Sequence, residues 1–128
     1  MMQAETLKNG QYTLVKIANE KLDATISSEL KALFVSLFQD GEKNLVFDMD
    51  SIRYCDSSGL SAILIANRLA TEKSGSFVLC RLADHVAKLI SISKLDTVLS
   101  IVPSPEEAVD LVLFNEIENQ LRAESGEE

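Results

Sequence analysis

Histidine and cysteine are scarce in this chain, and their scarcity excludes most metal and catalytic chemistry. The 128 residues include one histidine, His85, and two cysteines, Cys55 and Cys80. Because neither cysteine belongs to a Cys-x-x-Cys pair or a Cys/His cluster, we predict no metal site. We interpret His85 as an exposed polar residue at a helix start. Both cysteines are predicted to be buried, reduced thiols of a cytoplasmic protein, although the sequence does not exclude a disulfide between them.

Basic residues are few relative to acidic ones, and long apolar runs are missing. The chain has 12 Lys and Arg against 20 Asp and Glu, which gives a formal net charge of -8. Nucleic acid binding needs clustered cations, so we predict none, and anionic membrane surfaces are disfavoured for the same reason. A partner with a basic patch is compatible with this charge, as is plain solubility. The longest apolar stretch, Leu60 to Ala66, is too short to span a bilayer, and no signal peptide is visible.

The length fits one domain, and a hydrophobic fraction of 46% is enough for a single core. The chain turns acidic and polar after Leu121. We therefore predict one domain over residues 1–121 and a frayed acidic tail over residues 122–128.

Strand and helix patterns alternate along this domain. Runs rich in β-favouring residues cover 12–18, 44–49, 76–82 and 99–102, and a short run at 52–55 continues or follows the second. Amphipathic or apolar helical patterns cover 26–38 and 60–73 and begin again near 84 and 105. This alternation predicts an α/β sheet covered by helices.

Local capping signals predict where the helices begin. Asp23 or Thr25 is expected to cap the first helix, and Asp84 the third. Ser104-Pro105-Glu106-Glu107 combines a serine cap, a proline at the first helical position and a glutamate at the third, which is a capping box.

Catalytic motifs are missing from the sequence. There is no glycine-rich phosphate loop and no His-Glu-x-x-His, and Cys55 occupies the place of the first glycine of a nucleophile elbow before Ser57. Asp48 and Asp50 have the spacing of one strand face, but we interpret them as solvated loop carboxylates. We therefore predict no catalytic residue and no cofactor.

The run Asp56-Ser57-Ser58-Gly59 lies between an apolar strand and an apolar helix. Asp and Ser are favoured helix caps, and Gly59 permits a tight turn or close packing, so a purely structural interpretation suffices. A second interpretation is that a hydroxyl here carries phosphate, because unpaired N–H groups and the helix dipole favour an anion at a helix start. Both interpretations remain open on the residues alone.

The whole run Tyr54-Cys55-Asp56-Ser57-Ser58-Gly59-Leu60 resembles the hallmark of STAS domains, the anti-sigma-factor antagonist family. Leu22-Asp23-Ala24 is similar to the Leu-Asp turn before the family's first helix, and Leu45 to Asp48 is similar to its central strand. Leu95 and the region Pro105 to Ala108 resemble its later elements. The resemblance covers about Tyr12 to Leu113.

This resemblance implies a STAS-like mixed central β-sheet with about four helices, packed on one side of it. It also implies a bacterial partner-switching role in transcription regulation. The unphosphorylated protein would bind an anti-sigma factor, often a GHKL-type serine kinase, and a phosphatase would reset the switch. Phosphorylation would fall on Ser57. The expected partner-binding and motif residues are Leu22, Asp23, Arg53, Tyr54, Asp56, Ser58, Gly59, Ser61 and Asn67.

Two other functions compete with this one. The first is a STAS scaffold that is not phosphorylated and docks on a transporter or a stress-signalling complex. The second is an enzyme with Ser57 as nucleophile, which we disfavour because no base is identifiable.

Overall fold

Seven strands form two sheets in the protein. The computed structural model describes residues 1–126. The strands are β1 (Ala4–Lys8), β2 (Thr13–Ile17), β3 (Lys21–Leu22), β4 (Asn44–Asp48), β5 (Tyr54–Cys55), β6 (Ser76–Cys80) and β7 (Ser100–Val102). The central sheet has the order β1-β2-β4-β6-β7, with β1 antiparallel to β2 and every other neighbouring pair parallel. Strands β3 and β5 form a separate parallel pair.

Helices cover both faces of the central sheet. They are α1 (Ser27–Gln39), α2 (Ser57–Glu72), α3 (Asp84–Ile92) and α4 (Pro105–Ser125), with a short 3-10 helix, Leu95–Thr97, after α3. Side chains alternate along β4, so Leu45 and Phe47 pack with α1 and α2 while Val46 packs with α4. Both β4 and β6 are therefore buried at every residue. The predicted mixed sheet with four helices is confirmed, but the expectation that the helices lie on one side is wrong, because α4 lies opposite α1 and α2.

Aromatic contacts anchor the larger core, on the α1 and α2 face. The ring of Phe34 in α1 meets Phe47 and Phe77 edge to face, with centroids 5.3 and 5.5 Å apart. Edge-to-face pairs add about 0.5–1.5 kcal/mol beyond the area that they bury. This packing fixes α1, and with it the neighbouring α2, against the sheet.

Of the predicted caps of α1, α3 and α4, one is present in the structure and the others are not. The Ser104 capping box is confirmed, since Ser104 Oγ accepts from the Glu107 N–H at 3.2 Å and bonds the Glu107 carboxylate at 3.0 Å. The predicted caps Asp23, Thr25 and Asp84 are wrong. Helices α1 and α3 begin after Ile26 and Ala83 with no side-chain cap, because Asp23 bonds Thr25 in the preceding turn and Asp84 already lies inside the helix.

Two chain segments differ from the sequence expectation. Strand β1 was not predicted, because all five of its residues are exposed and only pairing with β2 makes it a strand. Helix α4 was expected to end near Leu121 but continues to Ser125 and closes at Gly126, which has a φ of 80°. The predicted acidic tail is therefore helical over 122–125, while Glu127 and Glu128 lie outside the described residues.

An ion pair between the buried Asp48 and the partly exposed Arg81 ties the carboxyl ends of β4 and β6 together. The Asp48 side chain is 2% exposed and binds Arg81 through two hydrogen bonds, one of them 3.1 Å long from Arg81 Nε. Two such bonds fix both planar groups in one orientation. The interpretation of Asp48 as a solvated loop carboxylate is therefore wrong, whereas Asp50 is exposed as expected.

Candidate functional site

The two-stranded sheet brings the Leu-Asp turn beside the start of α2. Strand β3 pairs with β5, so Leu22 lies opposite Cys55. The Glu20 carbonyl accepts from the N–H groups of Arg53 and Tyr54 at 2.7 and 3.1 Å, and the Leu22 carbonyl accepts from Asp56 N–H at 3.3 Å. Residues 20–23 and 53–57, far apart in sequence, therefore form one surface.

Asp56 caps α2. Its Oδ1 accepts from the N–H groups of Ser58 and Gly59 at 2.9 and 3.2 Å, and its backbone is extended, as an N-cap residue requires. The structural interpretation of Asp56 is confirmed. The expectation of unpaired N–H groups at this helix start needs correction, because Asp56 already accepts from those of Ser58 and Gly59.

Gly59 allows β3 to approach the helix closely. A Cβ atom at this position would lie 2.6 Å from Leu22 Cγ and 2.8 Å from Cys55 Sγ, and closer still to the Leu22 carbonyl oxygen. Leu22 and Gly59 are both buried, so they shape the surface from beneath and expose almost no area on it. The glycine is needed here for packing, not for an unusual φ.

The two serines of the motif differ in exposure. Ser57 is the first residue of α2 and is exposed, whereas Ser58 is half-buried. Within residues 1–126, the Ser57 hydroxyl has no hydrogen-bond partner and no histidine, lysine or carboxylate bonded to it that could act as a base. The Ser57 hydroxyl therefore lies on the surface at the start of α2.

An apolar groove starts at Ser57 and follows α2. Its volume is about 450 Å³, and besides Ser57 it is lined by Leu60, Ser61, Leu64, Ile65, Arg68 and Leu95. The lining residues on α2 recur at three- and four-residue spacings, which place them along one helix face. Ser61 was predicted to belong to the binding site, whereas the other lining residues were not. The three- and four-residue spacing from Ser57 could have indicated the lining residues on α2. It could not have indicated Leu95, which lies on the separate 3-10 helix. The predicted Asn67 is half-buried and is not part of the lining.

Polar and aromatic residues border the motif. Arg53 is exposed, and the half-exposed ring of Tyr54 stacks on His85, with centroids 5.9 Å apart. His85 is exposed as predicted, but no sequence pattern indicated its contact with Tyr54. Asp23 accepts from the Thr25 hydroxyl and N–H, and these bonds hold the pKa of the Asp23 carboxyl below its ordinary value. Its carboxylate therefore adds a negative charge beside the motif at neutral pH.

Both thiols are buried and unpaired, as predicted. Burial raises the pKa of Cys55 and of Cys80 to about 12. A thiol with such a pKa stays protonated and is a poor nucleophile or metal ligand. No cluster of three potential metal-binding side chains occurs in residues 1–126, and none of the helices described there is long and apolar enough to cross a membrane.

Comparison with known proteins decides the family. The family model of the STAS domain matches residues 3–108. The chain belongs to the STAS domain family. BtrV of Bordetella bronchiseptica, named as an anti-sigma factor antagonist, is 28% identical over 82 residues, which are 64% of this chain and 71% of BtrV.

Solved structures share the fold of this STAS domain. An anti-sigma-factor antagonist domain protein from Planctomyces limnophilus has a TM-score of 0.77 and 16% identity, and covers 88% of this chain and 98% of its own. The phosphorylated form of SpoIIAA, a cell fate determinant of Bacillus, has a TM-score of 0.66 and 20% identity over 88% of this chain and 99% of its own. The resemblance found in the sequence, to the STAS domain of anti-sigma-factor antagonists, is confirmed.

Proposed function

We propose that this STAS domain is an anti-sigma-factor antagonist whose binding to an anti-sigma factor is switched off by phosphorylation of Ser57. One observation carries the proposal: Ser57 is exposed at the start of a capped helix and at the end of an apolar groove, whereas Ser58 is half-buried. The name of BtrV and the phosphorylated form of SpoIIAA support the same function.

The position of Ser57 explains how a phosphate would act. It would add a charge of about -1.5 to -2 at the helix start. Asp56 already holds the N–H groups of Ser58 and Gly59 and is itself an anion, so the phosphate is not drawn back into the first turn. It would stay on the surface, at the end of the groove. A partner that buries the apolar lining would then have to desolvate this charge, which is costly without a matching cation.

The chemistry of the switch belongs to the partners. Ser57 supplies only a hydroxyl, so the base, the ATP and the magnesium ion come from a serine kinase, which in this scheme is the anti-sigma factor itself. A separate phosphatase removes the phosphate. The protein is then a binding module without catalysis of its own, and it meets these partners in the cytoplasm.

An affinity capture from extract of the host cells tests this function. Immobilised wild type is expected to retain an anti-sigma factor of the GHKL kinase type, and so is Ser57→Ala. Ser57→Asp is expected to retain much less, although one charge and two oxygens mimic phosphate only partly. Ser93→Asp, which adds the same charge at an exposed position after α3, is the matched control and is expected to behave as wild type.

The capture also separates the phosphorylation switch from the scaffold function. If wild type and Ser57→Asp retain the same transporter or stress-signalling subunits to the same extent, the scaffold function replaces the switch. If the retained protein is a kinase but Ser93→Asp loses it as fully as Ser57→Asp, the effect is one of net charge, and the assignment of Ser57 is wrong.

A further inference from the structure

Helix α4 carries an apolar stripe on the side that faces away from the sheet. Ala108 and Val112 bury the inner side of the helix against β4 and β6. On the outer side Phe114, Ile117 and Leu121 are 57%, 56% and 59% exposed. Their spacing of three and then four residues is the spacing of the contact positions of a coiled coil. Single exposed apolar residues are common, but three large ones aligned on one helix face mark an interaction surface.

The second half of α4 is held firmly, so the stripe is presented in a fixed orientation. Glu116 pairs with Lys43 at 2.6 Å and accepts from Asn44 at 3.2 Å. Asn119 donates to the Ser74 carbonyl at 2.8 Å. These contacts all lie on the inner side of the helix. A rigid helix face loses little conformational freedom when it binds, which favours its use as a docking element.

Charge decides what kind of partner fits. Helix α4 contains six acidic residues and one basic residue, Arg122. Asp110, Glu118 and Glu124 are exposed beside the stripe. A second copy of this chain, or an anionic membrane, would bring like charges together, whereas cations that flank an apolar stripe would be attracted. We propose that Phe114, Ile117 and Leu121 form the docking face for a basic amphipathic helix of a partner protein.

This docking face is separate from the Ser57 switch. The family model ends at residue 108, before the stripe begins. Helix α2, with Ser57 and its groove, packs on the opposite face of the central sheet. The basic helix is therefore expected to bind whether or not Ser57 is phosphorylated. The proposal of the docking face does not depend on the proposed switch.

Two synthetic peptides provide the test with the full chain. Both are amphipathic helices with leucine at the a and d positions, and the flanking e and g positions are all lysine in one and all glutamate in the other. By fluorescence anisotropy we expect the lysine peptide to bind at least about tenfold more tightly than the glutamate peptide. Its affinity is expected to fall as salt is raised, since exposed charges are screened. Equal affinities, or no binding of the lysine peptide, would overturn the proposal.

Matched variants locate the binding. The triple variant Phe114→Ser, Ile117→Ser, Leu121→Ser is expected to weaken lysine-peptide binding at least about tenfold. Ile92→Ser removes an equally exposed apolar residue, 71% exposed on α3, and is expected to change nothing. Ser57→Asp is expected to bind as wild type does. Equal losses in the triple variant and in Ile92→Ser would contradict the proposal.

Three further measurements keep the test decisive. If the triple variant does not fold, the binding site is located instead from the amide shift changes of wild type on addition of the lysine peptide. Changes on α2 and none on α4 would contradict the proposal. Sedimentation that shows a wild-type dimer would assign the stripe to a second copy. Binding to phosphatidylserine vesicles would assign it to a membrane. Each of the last two results overturns the proposal.

Discussion

Replacing Gly59 by alanine tests whether the close contact between β3 and α2 organises the site. The added methyl group would lie 2.6 Å from Leu22 Cγ and 2.8 Å from Cys55 Sγ, with the Leu22 carbonyl oxygen nearer still. A side chain can rotate away from such a contact, but the carbonyl belongs to the backbone of β3. The strand must therefore move, and the 3.3 Å hydrogen bond from Asp56 N–H to the Leu22 carbonyl must lengthen or break.

The size of the effect follows from two opposing contributions. Inserting a methyl group into a well-packed site costs about 1–3 kcal/mol, and a backbone clash lies at the upper end of that range. Alanine is a better helix former than glycine and gains back up to about 1 kcal/mol. We therefore expect Gly59→Ala to lower the free energy of unfolding by about 2–3 kcal/mol.

Urea unfolding followed by circular dichroism measures this change, and amide shifts locate it. The shifts of Leu22, Asp23 and Asp56 are expected to change most. Ser61→Ala, on the exposed side of the same helix, is the control and is expected to stay within about 0.5 kcal/mol of wild type. An unchanged midpoint together with unchanged amide shifts in Gly59→Ala would refute the packing of β3 on the helix start.

Three further substitutions or reagents test the capping, ion-pair and thiol assignments. Asp56→Ala is expected to lower the free energy of unfolding by about 1 kcal/mol, and Asp56→Asn by less, in urea titrations, because asparagine still caps; equal losses would show that capping is not its role. Arg81→Met leaves the buried Asp48 carboxylate without a cation and is expected to cost about 3 kcal/mol by the same measurement, and a loss below about 1 kcal/mol would contradict the pairing. Burial raises the pKa of Cys55 and Cys80 from 9.0 to about 12. The folded state therefore binds these protons more tightly than the unfolded state, and their contribution to the free energy of unfolding is complete below pH 9.0 and is lost as the pH rises towards 12. Iodoacetamide at about pH 8 should therefore alkylate them only after unfolding, as mass spectrometry would show.

Much of the fold could be predicted because its signals are local. The run from Leu45 to Phe47 is continuously apolar because both faces of β4 are covered, and such a run is typical of a central strand. The Ser104 capping box and the Asp56 cap depend on hydrogen bonds within three residues, so the residue types alone indicate them. The family resemblance rested on the run from Tyr54 to Leu60, together with the Leu-Asp turn at Leu22 and the strand from Leu45 to Asp48.

The remaining features depend on contacts between distant residues. Strand β1 carries no buried residue and exists through its pairing with β2, and β3 and β5 are two residues each, joined across about thirty residues of chain. The burial of Asp48 is compensated by Arg81, which directly follows the neighbouring strand β6 and neutralises the carboxylate. The groove beside Ser57 needs Leu95, which no periodicity on α2 could indicate.

The face of the sheet on which α4 packs could not be predicted from the sequence either. The inner residues Ala108 and Val112 fit the face that carries Val46, Val78 and Cys80, but the chain would show the same apolar spacing for either face. The position of α4 is determined by two features of the fold. Side chains alternate between the two faces along β4 and β6, and α1 and α2 already cover one face, so α4 packs on the other.

Phosphosite mapping of the protein isolated from its own cells tests the central claim most directly. Intact mass and fragment spectra of wild type, collected before and after phosphatase treatment, are compared with those of Ser57→Ala and Ser58→Ala produced in the same cells. We expect a phosphate on Ser57 in wild type and in Ser58→Ala, and none in Ser57→Ala. Phosphate that remains in Ser57→Ala but disappears in Ser58→Ala, or wild type that is never phosphorylated in any growth phase or stress, would contradict the Ser57 switch.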